Sequence, residues 1–306
     1  MIPPLRAAPP GGAGPSRALP GLPSACVIDI KPGPSGRDGQ LRQRVQQDGA
    51  GTGRRRALVT GSTGGLGLAV AGALAAMGCD IVLHGLLAEG PAAELWGGLS
   101  RRHGVAVRYH RADLADAAAI AAMMTAAGEV DILVNNAATR HFAPIEAMPP
   151  EDWEADLAVN LTAAFHTIRL ALPGMRARGW GRIVNMSSIY GLVGATDRVG
   201  YVATKTALIG LTRAVALETA RQGITCNALC PGTTLTPGIE ERIRAAMAGG
   251  ALDRAAASSH ILAGKQPSGR FIAAEAVAGL VAFLCSEAGR DLTGAALPVD
   301  GGWSAT

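Results

Sequence analysis

Arg56-Ala57-Leu58-Val59-Thr60-Gly61-Ser62-Thr63-Gly64-Gly65-Leu66-Gly67 is the stretch on which the reading of the fold turns. A short apolar run hands over to a run of glycines, and an alanine-rich helical segment follows over residues 66–77. Glycines let the chain turn tightly and bring backbone N–H groups close to a ligand, and a helix start presents partial positive charge. In an arbitrary loop these glycines would mean little. Between a strand and a helix they form a site for the pyrophosphate of a dinucleotide.

The same alternation continues downstream. Further strands are expected at residues 80–84, 105–110, 131–134, 182–186, 224–229 and 296–299. Helices are expected at 92–102, at 116–127 with Asp113 or Asp116 as cap, over a long region 151–178 broken near Pro173, from the segment holding Tyr201 to about 221, and at 274–286. The strands are near-continuous apolar runs, as burial on both faces of a parallel sheet requires. The expected fold is α/β: a single doubly wound Rossmann domain over residues 54–306, with a seven-stranded parallel sheet and helices on both faces. Residues 1–53 are rich in Pro, Gly and Arg without helix or strand period, and read as a disordered extension. Residues 237–265 hold one or two short helices, rich in Gly and Ala, and read as a mobile lid.

Charge and cysteines narrow the classes. Residues 1–56 carry nine Lys or Arg against three Asp, so the net +4 of the chain belongs to its leading segment. The remaining body is slightly acidic and gives no argument for a nucleic-acid partner. Cys26, Cys79, Cys226, Cys230 and Cys285 are too scattered for a disulfide framework and read as reduced thiols of a cytoplasmic protein. No run of about 18 apolar residues argues for a membrane span. His84, His103, His110, His141, His166 and His260 are dispersed, so no metal site is expected and each reads as packing or surface.

Tyr201-Val202-Ala203-Thr204-Lys205 supplies the chemistry. Residues four apart share a helix face, and an ammonium there draws a phenol's pKa down from about 10 towards neutrality. Such a pair can pass a proton to or from an alcohol oxygen. Alone it is a surface pair worth roughly 0.2–0.5 kcal/mol. Its company changes that: Ser188 stands thirteen residues upstream at the end of an apolar run, and the glycine turn supplies a nucleotide site. At the end of the second strand, Leu83-His84-Gly85-Leu86-Leu87 offers no Asp for a ribose hydroxyl and no Arg or Lys for a 2′-phosphate. The missing base is the more telling absence, since an unpaired phosphate is costly to desolvate, so the expected cofactor is NAD rather than NADP.

Together, Thr60-Gly61 with Gly65 and Gly67, Asn135-Asn136-Ala137, Asn160, Ser188, Tyr201 with Lys205, and Pro231-Gly232 resemble a short-chain dehydrogenase/reductase, closest to the D-3-hydroxybutyrate dehydrogenase group. The resemblance implies catalytic roles for Tyr201 as acid/base, Lys205 as ribose holder and pKa setter, Ser188 as hydrogen-bond partner of the substrate oxygen, and Asn160 as holder of a water. It implies cofactor contacts from Gly61, Thr63, Gly65, Leu66, Gly67, Asp113, Leu114, Asn135, Ala137, Tyr201, Lys205, Pro231, Thr234 and Thr236. Ala138 departs from the family's Asn-Asn-Ala-Gly turn by one methyl. A homotetramer is the usual assembly of such proteins and is expected here.

The substrate wall departs further. Where the hydroxybutyrate group holds a carboxylate with Gln, His, Lys and Gln, alignment by eye places Arg140, Tyr190, Arg198 and Arg242, with His141 beside them, and Thr233 replaces a Trp. The added cations and the added space imply a small-molecule hydroxy or oxo acid: a 3-hydroxybutyrate-like acid first, a bulkier one next. A 3-oxoacyl-carrier-protein or polyol reductase is the alternative enzyme, and an NAD-sensing scaffold the alternative outside enzymes.

Overall fold

The computed structural model describes residues 53–306 except 249 and 251. The extension expected over residues 1–53 therefore falls, but for its last residue, outside the described residues. Seven strands form one sheet: β1 Arg56–Val59, β2 Asp80–Gly85, β3 Val107–Arg111, β4 Ile132–Asn135, β5 Gly181–Met186, β6 Ile224–Pro231 and β7 Ala296–Val299. Their spatial order is β3-β2-β1-β4-β5-β6-β7, and every pairing is parallel. The chain steps outward one way from β1 to β3, then crosses back to place β4 on the other side of β1. That reversal opens a crevice beyond the carboxyl ends of β1 and β4, where doubly wound sheets bind ligands.

Alternate residues of the central strands supply two cores. Ala57, Val59, Ile81, Leu83, Val134 and Val184 meet α1 (Gly65–Ala76) and α9 (Ala274–Cys285) on one face. Leu58, Val82, Leu133, Ile183 and Cys226 meet α3 (Ala117–Ala127), α5 (Ala163–Arg178) and α6 (Val199–Thr219) on the other. This two-sided burial is why the strands lack polar alternation. α2 (Glu89–His103) follows β2, and Asp116 caps α3 by accepting the Ala118 N–H at 2.7 Å.

The long helical region differs from expectation. It runs through Pro173 unbroken, and the interruption lies earlier, between α4 (Pro150–Leu157) and α5, as a π-helical turn over Ala158–Thr162. Pro173 is on the exposed face of α5, so the carbonyl that loses its N–H partner is on the solvent side, which makes the proline tolerable. The π turn places Asn160, buried, against Thr139 of the crevice wall. Residues 237–265 form α7 (Pro237–Met247) and α8 (Arg254–Leu262), with Ile243, Ala257 and Ile261 in a small core of their own. Among the described residues no helix is long and apolar enough to cross a membrane.

Candidate active site

The crevice is a cavity of about 930 Å³. At one end is the glycine turn. Gly61 holds φ +62°, and a Cβ there would come within 2.8 Å of the Ala137 Cα. A Cβ at Gly67 would lie 2.2 Å from the Gly61 carbonyl oxygen, so neither position admits a side chain without backbone movement. Asn136 clamps the turn, its Nδ2 donating to the Thr60 carbonyl at 3.0 Å and the Gly61 carbonyl at 3.1 Å. The first turn of α1 has no side-chain cap and meets the cavity wall made by Gly61, Thr63, Gly64 and Leu66. Those free N–H groups at a positive helix end fit a pyrophosphate. Asp113, Leu114 and Ala137 border the same end.

His84 joins this end together. Its imidazole is 2% exposed; Nδ1 accepts the Gly61 N–H at 3.0 Å and Nε2 faces the Ala112 carbonyl at 3.0 Å. Those partners demand a neutral ring protonated on Nε2. Burial lowers its pKa from the ordinary value, and the hydrogen bond to Ala112 opposes that shift without cancelling it. Ser62 ties the same strand end, its Oγ accepting the His84 N–H at 3.0 Å.

At the other end, α6 presents Tyr201 and Lys205 from one face. Lys205 is 2% exposed, donates to the Met186 carbonyl at 2.7 Å, and its Nζ lies 5.5 Å from the Tyr201 ring centre. Burial pushes the Tyr201 phenol up, but Lys205, then Arg140, and hydrogen bonds with Ser188 and Arg140 outweigh it and hold the pKa below the ordinary value. Burial pushes the Lys205 ammonium down in turn. Ser188 starts a short turn over Ile189–Gly191, its Oγ accepting the Tyr190 N–H at 3.2 Å. Arg140 lies 5.0 Å from the Tyr201 ring centre, and Arg198 lies 5.3 Å from that of Tyr190 and 4.6 Å from that of Phe142. Tyr190 meets Tyr201 and Trp303 edge-on at 6.4 and 5.4 Å.

Most expected site residues share this cavity. Pro231, Thr234, Thr236 and Arg242 line it beside the residues already described. Four do not. Gly65 is not among the lining residues, although Gly64 and Leu66 on either side are, and a Cβ there would meet Thr236 at 3.6 Å. The carboxamide of Asn135 turns away from the cavity, donating to Asn185 Oδ1 at 2.9 Å and accepting from Thr167 Oγ1 at 2.7 Å, because it ties β4 to β5 and α5. His141 is not among the lining residues either: two carboxylates engage its ring, Asp156 at 3.0 Å and Asp152 at 3.5 Å. Asn160 is engaged behind the wall, accepting the Thr139 N–H at 2.8 Å and donating to the Thr139 carbonyl at 3.1 Å and Thr204 Oγ1 at 3.3 Å.

Three cavity residues that the sequence did not mark as part of the site carry polar or aromatic chemistry: His84, Lys265 and Trp303. His84 read as packing because nothing local marks a histidine whose two partners lie 23 and 28 residues away. Lys265 lies in the linker after α8, and Trp303 near the chain end; neither spacing points inward until the sheet is assembled.

A nucleotide-shaped groove that ends at a depressed phenol, a buried ammonium and a serine hydroxyl defines a dehydrogenase site. Residues 55–246 match the short chain dehydrogenase family model. The chain belongs to that family and is an oxidoreductase acting on CH–OH donors. It is 46% identical over 256 residues to a D-beta-hydroxybutyrate dehydrogenase of Cupriavidus necator, covering 82% of this chain and 98% of that one. It is 39% identical to another of that name from Rhizobium meliloti, covering 82% and 99%. Among solved structures, L-sorbose reductase from Gluconobacter frateurii, complexed with NADPH and L-sorbose, aligns with a TM-score of 0.79 at 31% identity, covering 84% of this chain and 99% of that one.

Proposed function

We propose that the protein is an NAD-dependent dehydrogenase that interconverts a secondary hydroxy acid, resembling 3-hydroxybutyrate, and its oxo acid. The observation that carries this reading is the Tyr201 phenol, held below its ordinary pKa between Lys205 and the Arg140 guanidinium at the cavity wall.

When bound, the nicotinamide supplies the hydride acceptor and donor. The chain's own residues do the rest. The free N–H groups of the glycine turn and α1 hold the pyrophosphate, and Asn136 and His84 keep that turn in shape. Tyr201 takes the proton from the substrate hydroxyl in oxidation and returns it to the carbonyl oxygen in reduction. Ser188 hydrogen-bonds the same oxygen and polarises it. Lys205 lowers the phenol's pKa from its ordinary value, which makes the phenolate easier to reach. Asn160 is a positioning residue: it fixes Thr139, which precedes Arg140, and Thr204, which precedes Lys205. Arg198 with Tyr190 receives the substrate carboxylate, a guanidinium fork suiting a planar anion.

The preference for NAD rests on charge placement. The cations lining the cavity are Arg140, Arg198, Lys205, Arg242 and Lys265, and none comes from the β2 end, where Gly85, Leu86 and Leu87 line the wall. A Cβ at Gly85 would meet Thr63 at 2.6 Å, so that position admits no side chain unless Thr63 moves. The NADPH in the sorbose reductase structure belongs to that protein. The deciding assay is NADH formation from a panel of hydroxy acids and neutral secondary alcohols, repeated with NADP. Turnover of acids with NAD supports the reading. Faster turnover of neutral alcohols than of any acid, or a clear NADP preference, overturns it.

A further inference from the structure

Five cations line the cavity against a single carboxylate, Asp113, which lies at the nucleotide end. Lys205 belongs to the tyrosine, and Arg140 lies 5.0 Å from the tyrosine's ring centre and lowers its pKa. That leaves Arg198, Arg242 and Lys265. Among the described residues none of these three forms an ion pair. They come from three separate segments: the start of α6, the middle of α7 and the linker after α8. Unpaired surface arginines would point apart, whereas these three converge on one cavity.

Lys265 shows how closely they gather. All three line one cavity, and burial first, then Arg242 and Arg198, push the Lys265 ammonium below the ordinary pKa. Its Nζ donates to the Ile261 carbonyl at 2.6 Å, which fixes it in place with donors to spare. One carboxylate on Arg198 would leave Arg242 and Lys265 on the same cavity wall without an anion. Converging cations held against their own repulsion are a site for negative charge.

We infer that the substrate is a dianionic hydroxy or oxo acid, whose second anionic group is held by Arg242 and Lys265. This rests on the hydroxy-acid reading above and sharpens it: one anion, on Arg198 and Tyr190, orients the reacting carbon, and the other selects the molecule. The shared chemistry is a second carboxylate or a phosphate ester on the far side of the carbinol.

The test uses the full chain with NAD and follows kcat/KM for NADH formation. The substrates are 3-hydroxybutyrate, 3-hydroxyglutarate, its monomethyl ester, and 3-hydroxy-4-phosphobutyrate. The monomethyl ester keeps the diacid's length and removes one charge. A charge-assisted hydrogen bond is lost with that charge, so the diacid or the phosphate ester should exceed the monoester by roughly tenfold to a hundredfold. Lys265→Met and Arg242→Met should each lower the ratio of dianion to monoester by about tenfold. The dianion's kcat/KM should also fall more steeply with added salt than the monoester's, a dependence that a merely structural role for these side chains would not produce. Which dianion wins tells carboxylate from phosphate. Equal use of the monoester, or ratios unmoved by both substitutions, overturns the inference while leaving the hydroxy-acid reading in place. Neutral alcohols outrunning every acid overturns the reading beneath it instead.

Discussion

Replacing His84 with Phe keeps a ring of similar size at the end of β2 and removes both of its nitrogen contacts. The magnitude follows from what those contacts satisfy. Ala112 is 6% exposed, so its carbonyl has little access to water once the imidazole N–H is gone. The Gly61 N–H is partly exposed and can turn towards solvent, so its loss costs less. One buried unsatisfied acceptor costs about 1–3 kcal/mol, and one partly exposed hydrogen bond about 0.5–1.5 kcal/mol, giving roughly 2–4 kcal/mol in all. For a body of this size that is a fall in Tm of roughly 5–15 °C by calorimetry. The Gly61 turn is also the proposed seat of the pyrophosphate, so NAD affinity should weaken together with stability, while kcat at saturating NAD stays near its original value.

The same residue carries a pH dependence whose sign is fixed. Burial holds the folded His84 pKa below the ordinary value of about 6.5, while in the unfolded chain the ring titrates near that value. Below about pH 6.5 the unfolded chain binds a proton that the folded protein refuses, so stability is full above that pH and is lost as pH falls. The limiting slope is about 1.4 kcal/mol per pH unit for one proton. His110, lowered by burial and then by Arg108, adds a loss of the same sign; Asp113 acts on His84 in the opposite sense. His84→Phe should therefore flatten the acid limb without abolishing it. A variant with unchanged Tm, unchanged NAD affinity and an unaltered acid slope would refute the bridge.

Three further outcomes are expected. Tyr201→Phe should lower kcat by roughly 10²–10⁴ with NAD binding intact by fluorescence titration, because the proton carrier goes and the glycine turn stays. Gly67→Ala should abolish NAD binding and lower Tm, since its Cβ would stand 2.2 Å from the Gly61 carbonyl and backbone must move; full NAD affinity would contradict that geometry. Pro173→Ala should raise Tm by a few degrees, because α5 runs through this position and an interior proline costs up to about 3 kcal/mol of helix stability, offset in part by the freer unfolded chain.

The sheet was legible because each strand had one job. Residues of β1, β4 and β5 meet helices on both faces, so they must be apolar throughout, and such runs between helical segments admit few topologies. The helix through Pro173 was not legible for the opposite reason. A proline's cost depends on which face of the helix loses a hydrogen bond, and that face is set by contacts with Ile168, Leu172 and Met175 that the local sequence does not show. The interruption came instead at Asn160, where the chain gives up regular α geometry to aim a carboxamide at Thr139 and Thr204.

The site divides along the same line. Tyr201 and Lys205 sit one turn apart on one helix, and the glycines of the nucleotide turn lie within one stretch, so local periodicity alone brings each set together. His84, Lys265 and the inward convergence of Arg198 and Arg242 arise only when distant segments meet at the carboxyl edge of the sheet. Asn135 and His141 show the converse. Each is next in sequence to a cavity-lining residue or within two positions of one, yet Asn185 and Thr167 claim the first and Asp152 and Asp156 the second. The pairing of Tyr201 with Lys205 was therefore readable from spacing, whereas the rest of the cavity's charge was not: it depends on which side chains still have free donors after the interior has taken its share. In this cavity those donors are guanidinium and ammonium groups with no acid of their own, which is why the substrate's charge, more than its shape, is the property to test first.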